Sequence, residues 1–167
     1  MTAMQIHDIG PLLNQMLKGN MFDHFLLREA SVSHAFQTDI DGTLNSRFYS
    51  EEECRQLGLS GLRFIPFSHV RPLCLDLIKG NRKPDAFRFV FLLSPEHQAN
   101  TVARAGSVFQ MEDITGMFLN LNYKNEILTC TTGISYRIFS PDKTLEKEWD
   151  RVAALFFRRH GIAVSEK

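Results

Sequence analysis

An excess of charge of either sign is absent from this chain: nineteen lysines and arginines face nineteen aspartates and glutamates over 167 residues, giving a pI near 7.0. Without a field of one sign, nothing steers the protein at long range onto nucleic acid or an anionic membrane. The same neutrality leaves self-association unopposed, so a homo-oligomer is an expected state. Long apolar runs are missing too. A stretch such as Phe89–Leu93 is far too short to cross a bilayer, and Met1–Asp8 has no basic region leading into an apolar one, so neither a membrane partner nor a secretion signal is expected. Paired cysteines are lacking: Cys54, Cys74 and Cys130 are odd in number, far apart and without a Cys-x-x-Cys spacing, which leaves no readable disulfide framework or zinc knuckle. The reading that follows is three reduced thiols in a cytoplasmic protein.

Motifs that name a reaction are as scarce. The six histidines, His7, His24, His34, His69, His97 and His160, show no i,i+4 or short-loop pairing. Asp23-His24 alone cannot build a metal site, so no metal and no cofactor is expected. No serine lies in a Gly-x-Ser-x-Gly elbow and no glycine-rich phosphate loop occurs. Thr129, Thr131 and Ser135 put a row of hydroxyls on the outward side of a strand, which reads as solvated β surface.

What the chain does have is a core. It is 44% hydrophobic, with 14 phenylalanines against one tryptophan. At this length folding removes roughly 70% of the unfolded surface from water, enough for a single globular domain over residues 1–167 without staples.

The punctuation of the sequence predicts the elements. Asp8 caps a helix whose Ile9, Leu12, Leu13, Met16 and Leu17 form one stripe, ended by Gly19. Ser50-Glu51-Glu52-Glu53 is a capping box for a short helix closed by Gly58. Ser68 or Arg71 starts a third, with Pro72 in its first turn and Gly80 as stop. Phe87 to Leu93 is apolar on both alternating sides and reads as a central strand. Ser94-Pro95 opens a helix that ends at Gly106. A two-residue turn at Lys124-Asn125 joins two alternating strands, pairing Tyr123 with Glu126 and Leu121 with Leu128, and Gly133 marks a bulge. Ser140-Pro141-Asp142 opens the last helix, with Leu145, Trp149, Val152, Ala153 and Phe156 as its buried stripe.

Residues 39–44 read Asp-Ile-Asp-Gly-Thr-Leu, the letter pattern of the first motif of the haloacid dehalogenase-like phosphatases. That chemistry needs the first Asp at the end of a buried parallel strand, and a downstream acidic pair to complete a Mg²⁺ site. Here the preceding residues alternate, with Leu26, Ala30, Val32, Phe36 and Ile40 at even positions, and the best acidic pair, Glu112-Asp113, follows no suitable strand. The motif therefore reads as a hairpin over residues 22–40 and 43–49, with Gly42 taking positive φ in its turn and Leu44 and Phe48 facing the same way as Val32. Phosphatase chemistry is set aside.

Two βαββ stretches follow from this order, within halves 1–58 and 84–140. The fold class is α+β: an antiparallel sheet with helices packed on it and a C-terminal helix. Duplicated βαββ units are the plan of sliding clamps, whose inner face meets phosphates with Lys and Arg. The corresponding helices here offer little beyond Lys18 and Arg104, so a clamp-like association with nucleic acid is a weak alternative and the likeness concerns the fold.

Phe22-Asp23, Phe25-Leu26-Leu27, Glu29-Ala30, Ile40-Asp41-Gly42, Ser50-Glu51-Glu52-Glu53, Leu77-Ile78-Lys79-Gly80, Leu128-Thr129-Cys130-Thr131-Thr132-Gly133 and the Leu145–Trp149 helix start give the chain a resemblance to an uncharacterised domain-of-unknown-function family from Gram-positive bacteria. The resemblance implies a small intracellular bacterial domain. It carries turns and caps and transfers no site.

Two basic clusters remain. Lys79, Arg82 and Lys83 follow a helix C-terminus and form the one candidate ligand-binding loop. Arg158, Arg159 and His160 sit in the last turn of the final helix, where cations complement the carbonyl end of the dipole. Zero net charge and the lack of an assembled active-site motif make a non-catalytic intracellular domain, acting through protein contact or homo-oligomerisation, the first functional expectation. The alternative is a small-ligand binder or enzyme whose site is gathered from residues scattered in sequence, which a buried cleft with convergent ionisable groups would reveal.

Overall fold

Phe87, Phe89, Phe91 and Leu93 point to one side of a strand and Arg88 to the other, and this alternation organises the sheet around it. A computed structural model describes residues 1–167. Its strands are β1 (Ala3–Ile6), β2 (Phe25–Ser33), β3 (Gln37–Asp41), β4 (Ile65–Pro66), β5 (Ala86–Leu93), β6 (Ile114–Lys124), β7 (Ile127–Tyr136) and β8 (Val164–Glu166). They form one antiparallel sheet in the order β3-β2-β5-β6-β7-β1-β8, with β4 also paired to β2. The helices are α1 (Ile9–Leu17), α2 (Glu51–Gln56), α3 (Phe67–Ile78), α4 (Pro95–Ala105) and α5 (Thr144–Arg159). The α+β class and the C-terminal helix are as the sequence implies.

Leu12, Met16, Cys74, Trp149, Ala153 and Phe157 from the helices and the inward residues of the strands share one core. Its densest part is aromatic. Phe22 stacks on Phe91 with ring centroids 4.5 Å apart, and Phe67 meets Phe91 edge-on at 5.0 Å. Removing one such ring typically costs about 3–5 kcal/mol.

The opposite face of the sheet is largely polar. Register aligns Gln5, Thr129, Asn122, Arg88, Ser31 and Asp39 in a single row across six strands. The hydroxyl row of Thr129, Thr131 and Ser135 lies on this face. A small apolar cluster of Leu26, Phe64 and Leu92 covers part of it.

Several boundaries differ from the sequence reading, each for a local reason. The two strands around Asp39 do form a hairpin, but it turns at His34–Phe36, where His34 N–H donates to Phe36 O at 2.9 Å. Gly42 lies at the end of β3 and is not in the left-handed region. Phe36 and Phe48 are 73% and 74% exposed. A bulge between Leu27 and Glu29 also shifts the parity, so Phe25 and Leu27 face the core with Ala30 and Val32, while Leu26 faces away.

The β6–β7 turn falls at Asn125-Glu126, both with positive φ, pairing Tyr123 with Leu128 and Leu121 with Cys130. The register is thus two residues from the one expected, and an even shift keeps both apolar sets on one face. The bulge of this pair sits between Ile114 and Gly116, whereas Gly133 is in register opposite Phe118. Helix α3 begins at Phe67, which puts Pro72 inside the helix. Helix α5 begins at Thr144, whose N–H donates to Asp142 Oδ1 at 3.0 Å. Asp8 precedes α1, but its carboxylate accepts the Ala163 N–H at 2.7 Å and makes no cap bond.

The two βαββ orders are present in sequence but differ in space. Strand β5 pairs directly with β6, whereas β1 pairs with β7 and β8 and not with β2. No helix is long and apolar enough to cross a membrane.

Candidate functional site

The Asp39 stretch finds none of the context that its letters require. Every strand pairing is antiparallel, β3 is an edge, and both Asp39 and Asp41 are exposed. Asp41 Oδ1 accepts the Thr43 N–H at 2.9 Å, a local turn contact that holds its carboxyl below the usual carboxylate range. Asp113 is likewise occupied, its Oδ2 accepting the Gln110 N–H at 2.8 Å. A depression of about 550 Å³ on the open face includes Asp39 and Asp41. There Arg28, Arg63 and Arg88 are balanced by Glu29 and the two aspartates, and Arg88 already pairs with Glu29 at 3.2 Å.

The basic loop is divided by its surroundings. Lys79 donates to Asn14 Oδ1 and lines one groove beside Ile9 and Leu13. Arg82 lines a neighbouring groove with His34 and Phe36. Lys83 stands between the two, with Nζ 5.2 Å from the centre of the Tyr123 ring, and Glu126 borders both grooves. The three cations are not brought to a single point.

A larger cleft of about 830 Å³ opens between α4 and α5, closed at one end by the turn before β2. Its floor is apolar because α5 presents a helical stripe to the sheet: Trp149 and Ala153 are buried, Val152 and Phe156 half-buried. Trp149 is fixed by its own polar atom, Nε1 donating to Phe118 O at 3.1 Å. The mouth is different in kind. His24, His97 and His160 line it together with Arg104, Arg151 and Arg159.

Each of these side chains is placed by ordinary local structure. The Ser94 N–H donates to His24 O at 3.0 Å, tying the residue before β2 to the end of β5. Ser94 then starts α4, and one turn on the His97 ring lies against His24, with ring centroids 4.3 Å apart and 33° between the planes. His97 Nδ1 and Ser94 Oγ are 2.8 Å apart. This is a contact within the first helical turn, and Ser94 does not line the cleft. Burial, and then the neighbouring His24, hold His97 below the ordinary imidazole range, with Glu96 acting weakly the other way. His160 closes α5, where its Nδ1–H donates to Phe156 O at 2.8 Å and leaves Nε2 free.

The charges at the mouth are unbalanced. Its one carboxylate, Asp23, is engaged by Arg71 outside the cleft. Arg151 is held by Glu148 through two bonds, of 3.0 and 2.7 Å. Arg104 and Arg159 have no ion-pair partner, although Arg104 lies near enough to Glu148 to favour its ionised form. The arrangement offers an anion two unpaired guanidinium groups and three imidazoles over an apolar floor.

The sequence placed Arg159 and His160 at a helix end and left them there as dipole partners. It gave no sign that His24, His97 and Arg104 join them. Pro95 at the helix start and the spacing of His97 and Arg104 along α4 were legible, but the packing of α4 on α5 was not. No group of three or more His, Cys, Asp or Glu side chains is placed to share a metal ion.

Neither a curated protein nor a solved structure matches the chain significantly. A protein family described as a family of unknown function (DUF5721) matches over residues 15–165, and the chain belongs to that family.

Proposed function

We propose that the protein binds a small anionic ligand in the cleft between α4 and α5. The observation that carries this reading is that Arg104 and Arg159, without ion-pair partners, share one cleft with three histidines in a chain of zero net charge. Exposed guanidinium groups without carboxylate partners leave uncompensated positive charge at this cleft, and an anion there gains charge-assisted hydrogen bonds. The alternative of a site assembled from scattered residues is thus the one the geometry supports best. Cytoplasmic residence suits three free thiols, two of them buried. Isothermal titration with inorganic phosphate tests the proposal. Binding should be measurable, and Arg159→Ala should weaken it roughly tenfold, the effect of losing one charge-assisted hydrogen bond, with Arg104→Ala, whose guanidinium already faces Glu148, weakening it less. Lys79→Ala, outside the cleft, should change little. Heat of binding that survives both arginine substitutions contradicts the reading.

Contact with a second copy is a separate reading, favoured by Val108, Ile138 and Phe139, which are 69%, 50% and 94% exposed. A contiguous apolar patch marks an association surface, and the Val108 N–H donating to Asp142 Oδ2 at 3.3 Å brings Val108 close to the segment that follows Ile138 and Phe139. A molar mass by light scattering that stays monomeric over a wide concentration range contradicts it.

A further inference from the structure

An inorganic anion meets only the rim of this cleft. Its volume of about 830 Å³ lies in the range of sites that enclose an organic molecule, roughly 300–1,000 Å³. Nine of its nineteen lining residues are hydrophobic. The apolar surface open to a ligand comes from Val152, Leu155 and Phe156, half-buried on α5, above the buried Phe25 and Trp149. Phe156 packs edge-on against His160 at 4.9 Å and is tilted on Phe25 at 5.4 Å, so an aromatic wall runs directly into the imidazole group. A stacked or tilted ring is the geometry in which aromatic surfaces meet favourably.

Resting on the anion-binding reading above, we propose that the ligand is an organic phosphate monoester with a flat apolar body, its phosphate among Arg159, His160 and the His24–His97 pair and its body against Phe156, Val152 and Leu155. The apolar end contributes through surface taken out of water, and the charged end through guanidinium and imidazole donors. Placement of the head at the histidine end follows from the charges. There the unpaired Arg159 stands with three imidazoles, whereas at the other end Arg151 is committed to Glu148, which also faces Arg104.

Titrations of the full chain with inorganic phosphate, phenyl phosphate and phenol, followed by calorimetry, separate the two ends. Phenyl phosphate should bind at least about tenfold more tightly than inorganic phosphate, with phenol alone weaker than either. Leu155→Ser should bring the phenyl-to-inorganic affinity ratio down toward one. Val152→Thr, which keeps the shape of the side chain, should lower the ratio in the same direction and serves if the first variant does not fold. Equal affinities for phenyl and inorganic phosphate in the native chain overturn the organic-ligand inference while leaving anion binding intact. Absence of binding by either anion overturns both.

Discussion

His24 and His97 lie ring against ring, with centroids 4.3 Å apart, although one precedes β2 and the other sits in the first turn of α4. Burial lowers the pKa of His97 and the second imidazole lowers it further. Because the folded pKa is depressed, the unfolded chain binds this proton more readily. His97 therefore costs no stability well above its ordinary pKa and destabilises the fold as pH falls through that value toward its lowered one. His24→Asn should raise the His97 pKa only part of the way to normal, since burial is the larger cause, and should soften the loss of stability in acid. Histidine Cε1–H titration by NMR with a urea midpoint series from pH 8 to 5 measures both. A bound anion acts in the opposite direction. It favours the imidazolium, so anion affinity should rise as pH falls.

Gly42 is the sensitive residue of the Asp-Ile-Asp-Gly stretch. A Cβ at this position would lie 1.8 Å from Leu27 O, because the bulge in β2 brings the two backbones together. The Gly42 N–H donates to Arg28 O at 2.8 Å and its carbonyl accepts the Ile65 N–H at 2.8 Å, so the strand cannot easily withdraw. Gly42→Ala should cost on the order of 3 kcal/mol, the scale of forcing an atom into a filled place. Asp39→Asn, on an exposed edge, should change stability by only a few tenths of a kcal/mol. Chemical denaturation of both variants gives the comparison, and the reverse order would contradict the placement of β3.

The same stretch shows how much of the fold was legible. Alternation located β2, β6 and β7, since period two is a property of the strand itself, and an apolar run located β5; the inward residues of β6 were read correctly, whereas in the β2 stretch Leu26 and Phe36 were assigned to the wrong side. What alternation cannot count is an extra residue. The bulge at Leu27/Glu29 and the one-residue displacement of the Asn125-Glu126 turn, which shifts the register by two, left the faces correct in part and the pairings wrong. The partners of β1 were also out of reach, because β7 is distant in sequence and nothing local to Met4 or Ile6 names it. The cleft was hidden for the same reason. His24, His97, Arg104 and Arg159 each had a satisfactory local explanation, and only the packing of α4 on α5 gives them a common one.

Tyr136 carries a hydroxyl that is buried without a hydrogen-bond partner, beside Phe109 at 4.6 Å. Burial, with Glu146 and Asp142 nearby, pushes its pKa up to about 12. An unsatisfied buried hydroxyl opposes folding, so Tyr136→Phe should stabilise the protein by about 1 kcal/mol. A lower urea midpoint in that variant would show that the hydroxyl has a partner in solution.

The anion-binding cleft is tested most directly by mapping amide and histidine ring shifts of the full chain on addition of phenyl phosphate. The shifts should concentrate on His24, His97 and His160 and along the facing residues of α4 and the end of α5. Shifts confined to the loop of Lys79, Arg82 and Lys83, or none at millimolar ligand, would contradict it.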